Sequence, residues 1–114
     1  MRTLGDLQLA ARDRLAVERA AGALRARFPI VRVVLFGSKA RGDDAAASDI
    51  DLLVLTGRTV SYREKEEMTQ AVYPVELDLG VVISMLIMPE ARWDRGLCRL
   101  MPIHFEVERD GAAA

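Results

Sequence analysis

Apolar residues recur along the first half of the chain at two spacings, which predict one helix followed by two strands. Over residues 3–28 they recur every three or four positions, which predicts an amphipathic helix with Thr3 as its cap and Pro29 as its stop. Residues 30–36 and 49–55 are almost continuously apolar, which is typical of strands covered on both faces. The segment between these two strands, residues 37–48, is polar and predicts a loop.

The second half of the chain predicts a smaller set of elements. Residues 61–72 are mostly polar and predict a solvent-facing helix. We expect Pro74 to open a third strand over residues 75–83, with a short helix over 90–98, a last strand over 104–108 and a frayed alanine tail. This order predicts a single α/β or α+β domain over residues 1–114, with a mixed sheet and flanking helices.

Composition and charge narrow the functional classes. The net charge of the 114-residue chain is −1, so no overall positive field favours direct binding to nucleic acid or to an anionic membrane. No apolar run approaches the ~20 residues that a membrane span needs. The single cysteine, Cys98, cannot form an internal disulfide, which favours a reducing, cytoplasmic location.

The polar segment opens with a short loop that has the residues of a phosphate site. Gly37 leaves a buried strand, Ser38 supplies a hydroxyl, and Lys39 and Arg41 supply positive charge. A turn of this kind that enters a helix directs backbone N–H groups at one point, which suits phosphate. On these residues alone, an ordinary tight turn remains an equal alternative.

Two residues of the loop have alternative roles. Arg41 either contacts phosphate or holds the loop by pairing with Asp43, Asp44 or another acid, and we favour the structural role. Lys39 either contributes to nucleotide binding or is a solvated side chain.

Three acids lie in predicted strands beside this loop. Asp49 and Asp51 are two residues apart in one strand, so both carboxylates face the same way, and two adjacent negative charges favour a bound cation. Oxygen ligands of this type suit Mg²⁺. Asp78 interrupts the predicted third strand in the same manner, although Glu76 shares its face and is the alternative third acid.

The combined pattern resembles a known family. Gly37-Ser38, ten intervening residues and then Asp49-Ile50-Asp51 resemble the signature of the minimal nucleotidyltransferases, a branch of the DNA polymerase β superfamily. The resemblance covers roughly residues 31–83, which we take as the catalytic core. It implies a polymerase β-like fold and metal-dependent transfer of a nucleoside monophosphate from a nucleoside triphosphate to a hydroxyl, with two Mg²⁺ ions.

By position in this motif, the resemblance implies specific roles. Asp49, Asp51 and Asp78 would hold the metal ions and perform the catalysis. Ser38, with the loop amides of Gly37 and Lys39, would hold the triphosphate of ATP, and Arg41 is the further candidate for nucleotide binding.

The minimal members that the chain resembles are typically antitoxins encoded beside a HEPN-domain toxin ribonuclease. The resemblance therefore implies AMPylation of a toxin tyrosine, which neutralises the toxin. Two alternatives stay open: neutralisation by binding alone, and transfer to a small hydroxylated molecule. Apolar residues of the C-terminal third could form the partner surface, with Trp93 as its anchor beside Met85, Met88 and Met101.

Overall fold

The computed structural model describes residues 1–43 and 48–114. Its helices and strands, in chain order, are β1 (Arg2–Thr3), α1 (Ala11–Arg27), β2 (Ile30–Phe36), α2 (Ser38–Arg41), β3 (Ile50–Thr56), α3 (Tyr62–Leu79), β4 (Ile83–Pro89), α4 (Glu90–Arg95), α5 (Pro102–Asp110) and β5 (Ala112–Ala113). The strands form one five-stranded sheet in the order β1-β5-β2-β3-β4. β2 is antiparallel to β3 and β5, whereas β3 is parallel to β4, and β1 to β5. This mixed sheet with flanking helices confirms the predicted α+β class.

The sheet is covered by helices on both faces. α1 and α3 pack on one face, and α4 and α5 pack on the other, in two separate apolar clusters. Ile50, Leu52 and Val54 of β3 lie on the α1–α3 face, and Leu53 and Leu55 lie on the α4–α5 face. Because side chains alternate along a strand, the side chain of Asp51 belongs to the α4–α5 face.

The first helix is shorter than predicted. Thr3 and Asp6 do form a capping interaction, with the Thr3 N–H 2.8 Å from Asp6 Oδ2, but it closes only a 3₁₀ turn. α1 then begins at Ala11. The extended segment between the turn and α1 is stabilised by the guanidinium of Arg14, which donates to the carbonyls of Leu4 and Leu7 at 2.7 and 2.8 Å.

The strand predicted over residues 75–83 is wrong, because α3 continues to Leu79 and β4 starts only at Ile83. Met68, Val72 and Val75 are buried at helical spacing, so continued packing outweighs the hydrogen bond that Pro74 removes. The helix ends at Gly80, whose φ of 64° is left-handed and favours glycine.

The C-terminal predictions also fail in part. Residues 104–108 belong to α5 and form no strand, and α4 ends at Arg95, before a 3₁₀ turn over Leu97–Leu100. The tail does not fray: β5 lies between β1 and β2, and Ala112 is fully buried. Gly111 allows this entry, because a Cβ there would lie 2.4 Å from the Val107 carbonyl oxygen and 2.9 Å from a Val34 methyl group.

No helix within the described ranges has the length and apolar character needed to cross a membrane.

Candidate functional site

The two acids of the motif lie at the start of β3, where the strand leaves the helix-covered part of the sheet. Asp49 is exposed and Asp51 is half-buried. Burial, and then the negative charge of Asp49, raise the pKa of Asp51 above its ordinary value, while Arg41 lowers it. The carboxylates therefore repel each other across one face of the strand, and a cation between them would relieve that repulsion.

Gly37 brings the loop backbone against this pair. A Cβ at Gly37 would lie 2.4 Å from Asp51 Oδ2, and the φ of 77° at Gly37 is one that other residues rarely adopt. The chain then turns at once into α2, which begins at Ser38. A glycine is thus required both by the turn and by the closeness of the Asp51 carboxylate, which makes the loop and the acids one site.

The side chain of Lys39 is not solvated, so that alternative is wrong. Its ammonium lies 2.9 Å from Asp13 Oδ2 on α1, and the two side chains are only 1% and 6% exposed. The ion pair connects α2 to α1 and holds the loop in place. The nucleotide contact predicted for Lys39 is through its backbone N–H, and it stays a prediction.

Arg41 follows the structural alternative. Its Nε lies 3.2 Å from Asp43 Oδ2, on the surface of the loop. Asp44, the other acid considered as its partner, lies outside the described residues. Because Arg41 also lowers the pKa of Asp51, its charge reaches the acid pair even though the side chain is bound to Asp43.

The third predicted acid is not where the sequence analysis expected it. Asp78 lies on α3, and its Oδ2 accepts a hydrogen bond from Arg19 of α1 at 2.9 Å, at the surface beside the opposite face of the sheet. The alternative acid, Glu76, accepts a hydrogen bond from the backbone N–H of Ile83 at 3.0 Å. Both expectations depended on a strand that is a helix, so neither acid joins Asp49 and Asp51 as predicted.

Ser84 occupies the place that the third acid was expected to fill. It is the register partner of Asp51 on the neighbouring parallel strand, and its hydroxyl lies 3.4 Å from Asp49 Oδ2. The sequence analysis missed this residue because a serine in an apolar strand has no chemical signal of its own. The available clue was the better apolar spacing of residues 83–89 as a strand.

The residues present suit one Mg²⁺ ion better than two. Two carboxylates on one face, next to a loop backbone, are the protein ligands that Mg²⁺ usually takes together with substrate phosphates. Within the described parts of the chain, no three acidic, histidine or cysteine side chains come close enough to hold a metal ion together. The predicted three-carboxylate cluster with Asp78 is therefore not formed.

The C-terminal third contributes core more than surface. Trp93 is 1% exposed and stacks on His104 at a centroid distance of 4.6 Å, so it cannot anchor a partner as predicted. Met85 and Met88 are half-buried against the two clusters. Beyond α4, the exposed large apolar side chains in the described residues are Leu97, Leu100, Met101 and Phe105.

Comparison with known proteins matches these features to one family. The model of the nucleotidyltransferase domain family matches residues 17–99, which contain the loop, both motif acids and Ser84. The chain belongs to this family. The nucleotidyltransferase assignment covers most of the sheet, including β2, β3 and β4.

Three similar proteins show how far the likeness extends. A protein of Methanocaldococcus jannaschii, named as a candidate protein adenylyltransferase, is 38% identical over 56 residues, which are 49% of this chain and 57% of that relative's length. A solved candidate minimal nucleotidyltransferase is 28% identical, with a TM-score of 0.57 over 94% of this chain and 97% of its own. The fold is also similar to that of a chain in the structure of the tri-AMPylated Shewanella oneidensis HEPN toxin in complex with MNT antitoxin. The two chains are 22% identical, with a TM-score of 0.55 over 89% of this chain and 70% of the other.

Proposed function

We propose that this nucleotidyltransferase is a Mg²⁺-dependent protein adenylyltransferase, which transfers AMP from ATP onto a tyrosine hydroxyl of a HEPN-domain toxin and so neutralises it. The observation that carries the proposal is the close approach of Gly37 to Asp51, the half-buried acid of the pair. It joins a phosphate-type turn to two adjacent carboxylates whose repulsion a bound cation would relieve. Neither feature alone would favour a nucleotide over an ordinary surface.

Different residues of the site would bind the metal ion and the phosphates. Asp49 and Asp51 would hold Mg²⁺, which when bound neutralises charge on the ATP phosphates. The hydroxyl of Ser38 and the N–H groups at the start of α2 would contact the phosphate oxygens. The side chain of Lys39 would contribute indirectly, because its buried pair with Asp13 fixes α2 against α1.

The reaction itself is an in-line displacement. The acceptor oxygen forms a bond to the α-phosphorus of ATP, and the bond between that phosphorus and the oxygen bridging to the β-phosphate breaks. Pyrophosphate leaves, and the hydroxyl proton passes to solvent. The Asp49–Asp51 pair would hold the ion, whose positive charge would stabilise the phosphates during this attack.

The exposure of the site favours a protein as the acceptor over a small molecule. Asp49 and Ser84 are both exposed, so a side chain presented on another protein can reach the pair. The relatives support the same choice, since one is named for protein adenylylation and another is an antitoxin in complex with an AMPylated HEPN toxin. AMP on a toxin tyrosine adds negative charge, which would repel RNA phosphates.

We place the partner contact on the exposed apolar residues that follow α4, of which Phe105 is 61% exposed. Replacing Phe105 by Ser should weaken the complex, while Leu77→Ser should leave it intact, because Leu77 is similarly exposed on α3 at the other face. A pull-down with thermal melts of both variants measures this. Equal binding by the two variants would contradict this placement of the interface.

Neutralisation by binding alone is the second candidate, and one observation favours it. Ser84 stands where a third carboxylate was expected, and a site with two carboxylates has less negative charge with which to hold a second ion. On this alternative, nucleotide binding persists but transfer contributes nothing to neutralisation.

One experiment separates the two candidates. The protein and its proposed HEPN-domain toxin partner are incubated with Mg²⁺ and ATP labelled on the α-phosphate, and the toxin is analysed by mass spectrometry. We expect label on a toxin tyrosine, and none with EDTA or with the Asp49→Asn/Asp51→Asn variant. A stable, inactive and unlabelled complex would favour binding alone and contradict the transferase proposal.

A further inference from the structure

We infer that Ser84 replaces the third carboxylate of the site, so that this chain holds one divalent ion with its nucleotide and not two. The inference rests on the proposed function, because it concerns the same nucleotide site. Ser84 itself lies outside the motif that runs from Gly37 to Asp51.

The sheet register places Ser84 beside the acid pair. Ile50 pairs with Ile83 and Asp51 with Ser84 in the parallel ladder of β3 and β4. Leu86 and Met88, which share the strand face of Ser84, pack in the cluster on the α4–α5 face. Ser84 therefore points to the same side as Asp51, one strand away, where a third ligand would need to be.

The hydroxyl of Ser84 interacts with the acids but cannot replace a charge. Its 3.4 Å hydrogen bond to Asp49 Oδ2 is long, and a neutral hydroxyl supplies no negative charge to a second ion. In two-metal sites the ions lie about 3.5–4 Å apart, so they repel each other strongly and depend on carboxylates between them. Two carboxylates and the nucleotide phosphates suffice for one Mg²⁺.

Other acids near the ends of these strands are engaged elsewhere. Glu76 binds the backbone N–H at the start of β4, and Asp78 pairs with Arg19 on α1. Asp43 pairs with Arg41 at 3.2 Å. In the part of the chain that the structure covers, none of these three joins the Asp49–Asp51 pair as a metal-binding group.

The position of Ser84 leaves room for a carboxylate, so the inference can be tested by introducing a third acid there. Ser84 is exposed, so Asp at this position can be accommodated without repacking the core. Ser84→Asn has the same shape as Ser84→Asp but no charge, and it is the matched control. Any effect seen with Asp but not with Asn comes from the added negative charge.

The test counts Mn²⁺ ions bound per nucleotide-bound chain by electron paramagnetic resonance, with the α,β-methylene analogue of ATP as the nucleotide. We expect one tightly bound Mn²⁺ for the wild type and for Ser84→Asn, and two for Ser84→Asp. In the same variant, the second Mn²⁺ should bind at least about tenfold more tightly than in the wild type. Metal-free Ser84→Asp should melt at a lower temperature than Ser84→Asn and recover with Mn²⁺, because three carboxylates repel one another.

Each outcome separates the inference from the proposed function. Two tight ions in the wild type, or one in Ser84→Asp, would overturn the role of Ser84 and leave nucleotide binding intact. No tight ion with any variant would overturn the proposed metal-dependent function, and the inference with it.

Discussion

Two pairs of charged side chains, Lys39–Asp13 and Asp49–Asp51, differ in sign and in burial. Lys39 and Asp13 are oppositely charged, buried and 2.9 Å apart. Asp49 and Asp51 carry the same charge, and at least one of them is exposed. The first pair is compensated within the protein, whereas in the second burial, and then the charge of Asp49, raise the pKa of Asp51.

This difference separates a structural role from a functional one. A buried ion pair needs nothing from outside, so its contribution is to fix α2 against α1. Two adjacent like charges repel each other and lower the stability of the folded protein, and a cation that binds between them removes that repulsion. The sign of the pairing therefore indicates function better than the presence of charge does, since the side-chain charge of Lys39 is already used within the protein.

The largest effect on stability should come from removing one charge of the buried Lys39–Asp13 pair. Lys39→Met leaves the buried Asp13 with the more exposed Arg12, at 3.8 Å, as its counter-charge, which should lower the free energy of unfolding by about 3 kcal/mol. The double variant Lys39→Met/Asp13→Leu removes both charges and should recover most of that loss. Urea unfolding measures both effects. If the single variant were as stable as the wild type, the anchoring role of this pair would be wrong.

Replacing Ser38 should weaken nucleotide binding without disturbing the buried Lys39–Asp13 ion pair. It begins α2, between the Gly37 contact and the buried lysine. Ser38→Ala should weaken ATP binding by roughly 1.5–3 kcal/mol, the range for a hydrogen bond to a charged group, with little change in stability. Calorimetric titration with the ATP analogue and a thermal melt check this. Unchanged ATP affinity would mean that the hydroxyl does not contact phosphate.

A smaller effect should appear in the pH dependence of stability. Because the pKa of Asp51 is raised, its contribution to stability is complete below the ordinary value of 3.8 and is lost as pH rises through the raised value. Without metal, Asp51→Asn should therefore gain stability relative to the wild type as pH rises through this window.

Urea unfolding at several pH values, with and without Mg²⁺, checks this prediction. Mg²⁺ should reduce the difference between the wild type and Asp51→Asn at neutral pH. The contribution of Glu64, whose pKa Arg58 and the Ser61 N–H lower to about 2, is expected to cancel in this difference because neither protein alters that contact. A difference that is constant across the pH range would show that the charge of Asp51 is not destabilising.

The central strands and the acid pair could be predicted from the sequence, because their signals are local. β2 matches its prediction, and β3 is displaced by one residue, since both are continuous apolar runs with buried faces. The two aspartates share a face by strand geometry alone. Their spacing from Gly37 then identified the family that the comparison confirms.

The remaining parts of the site depend on contacts that are distant in sequence. Lys39 pairs with a residue 26 positions away, and nothing near either residue indicates the pairing. Pro74 was interpreted as the start of a strand, although Met68, Val72 and Val75 continue the helical spacing past it. That error shifted the third strand and assigned the third ligand to Asp78 instead of the position of Ser84.

The central claim is that the Asp49–Asp51 pair binds the nucleotide through a divalent ion. Its most direct test is a calorimetric titration of the α,β-methylene ATP analogue with Mg²⁺ into the wild type, Asp49→Asn/Asp51→Asn and Asp78→Asn. We expect the double variant to bind at least about 100-fold more weakly at unchanged or higher thermal stability. Asp78→Asn should bind like the wild type, since it loses only an exposed pair with Arg19. Equal affinity of the wild type and the double variant would contradict the account.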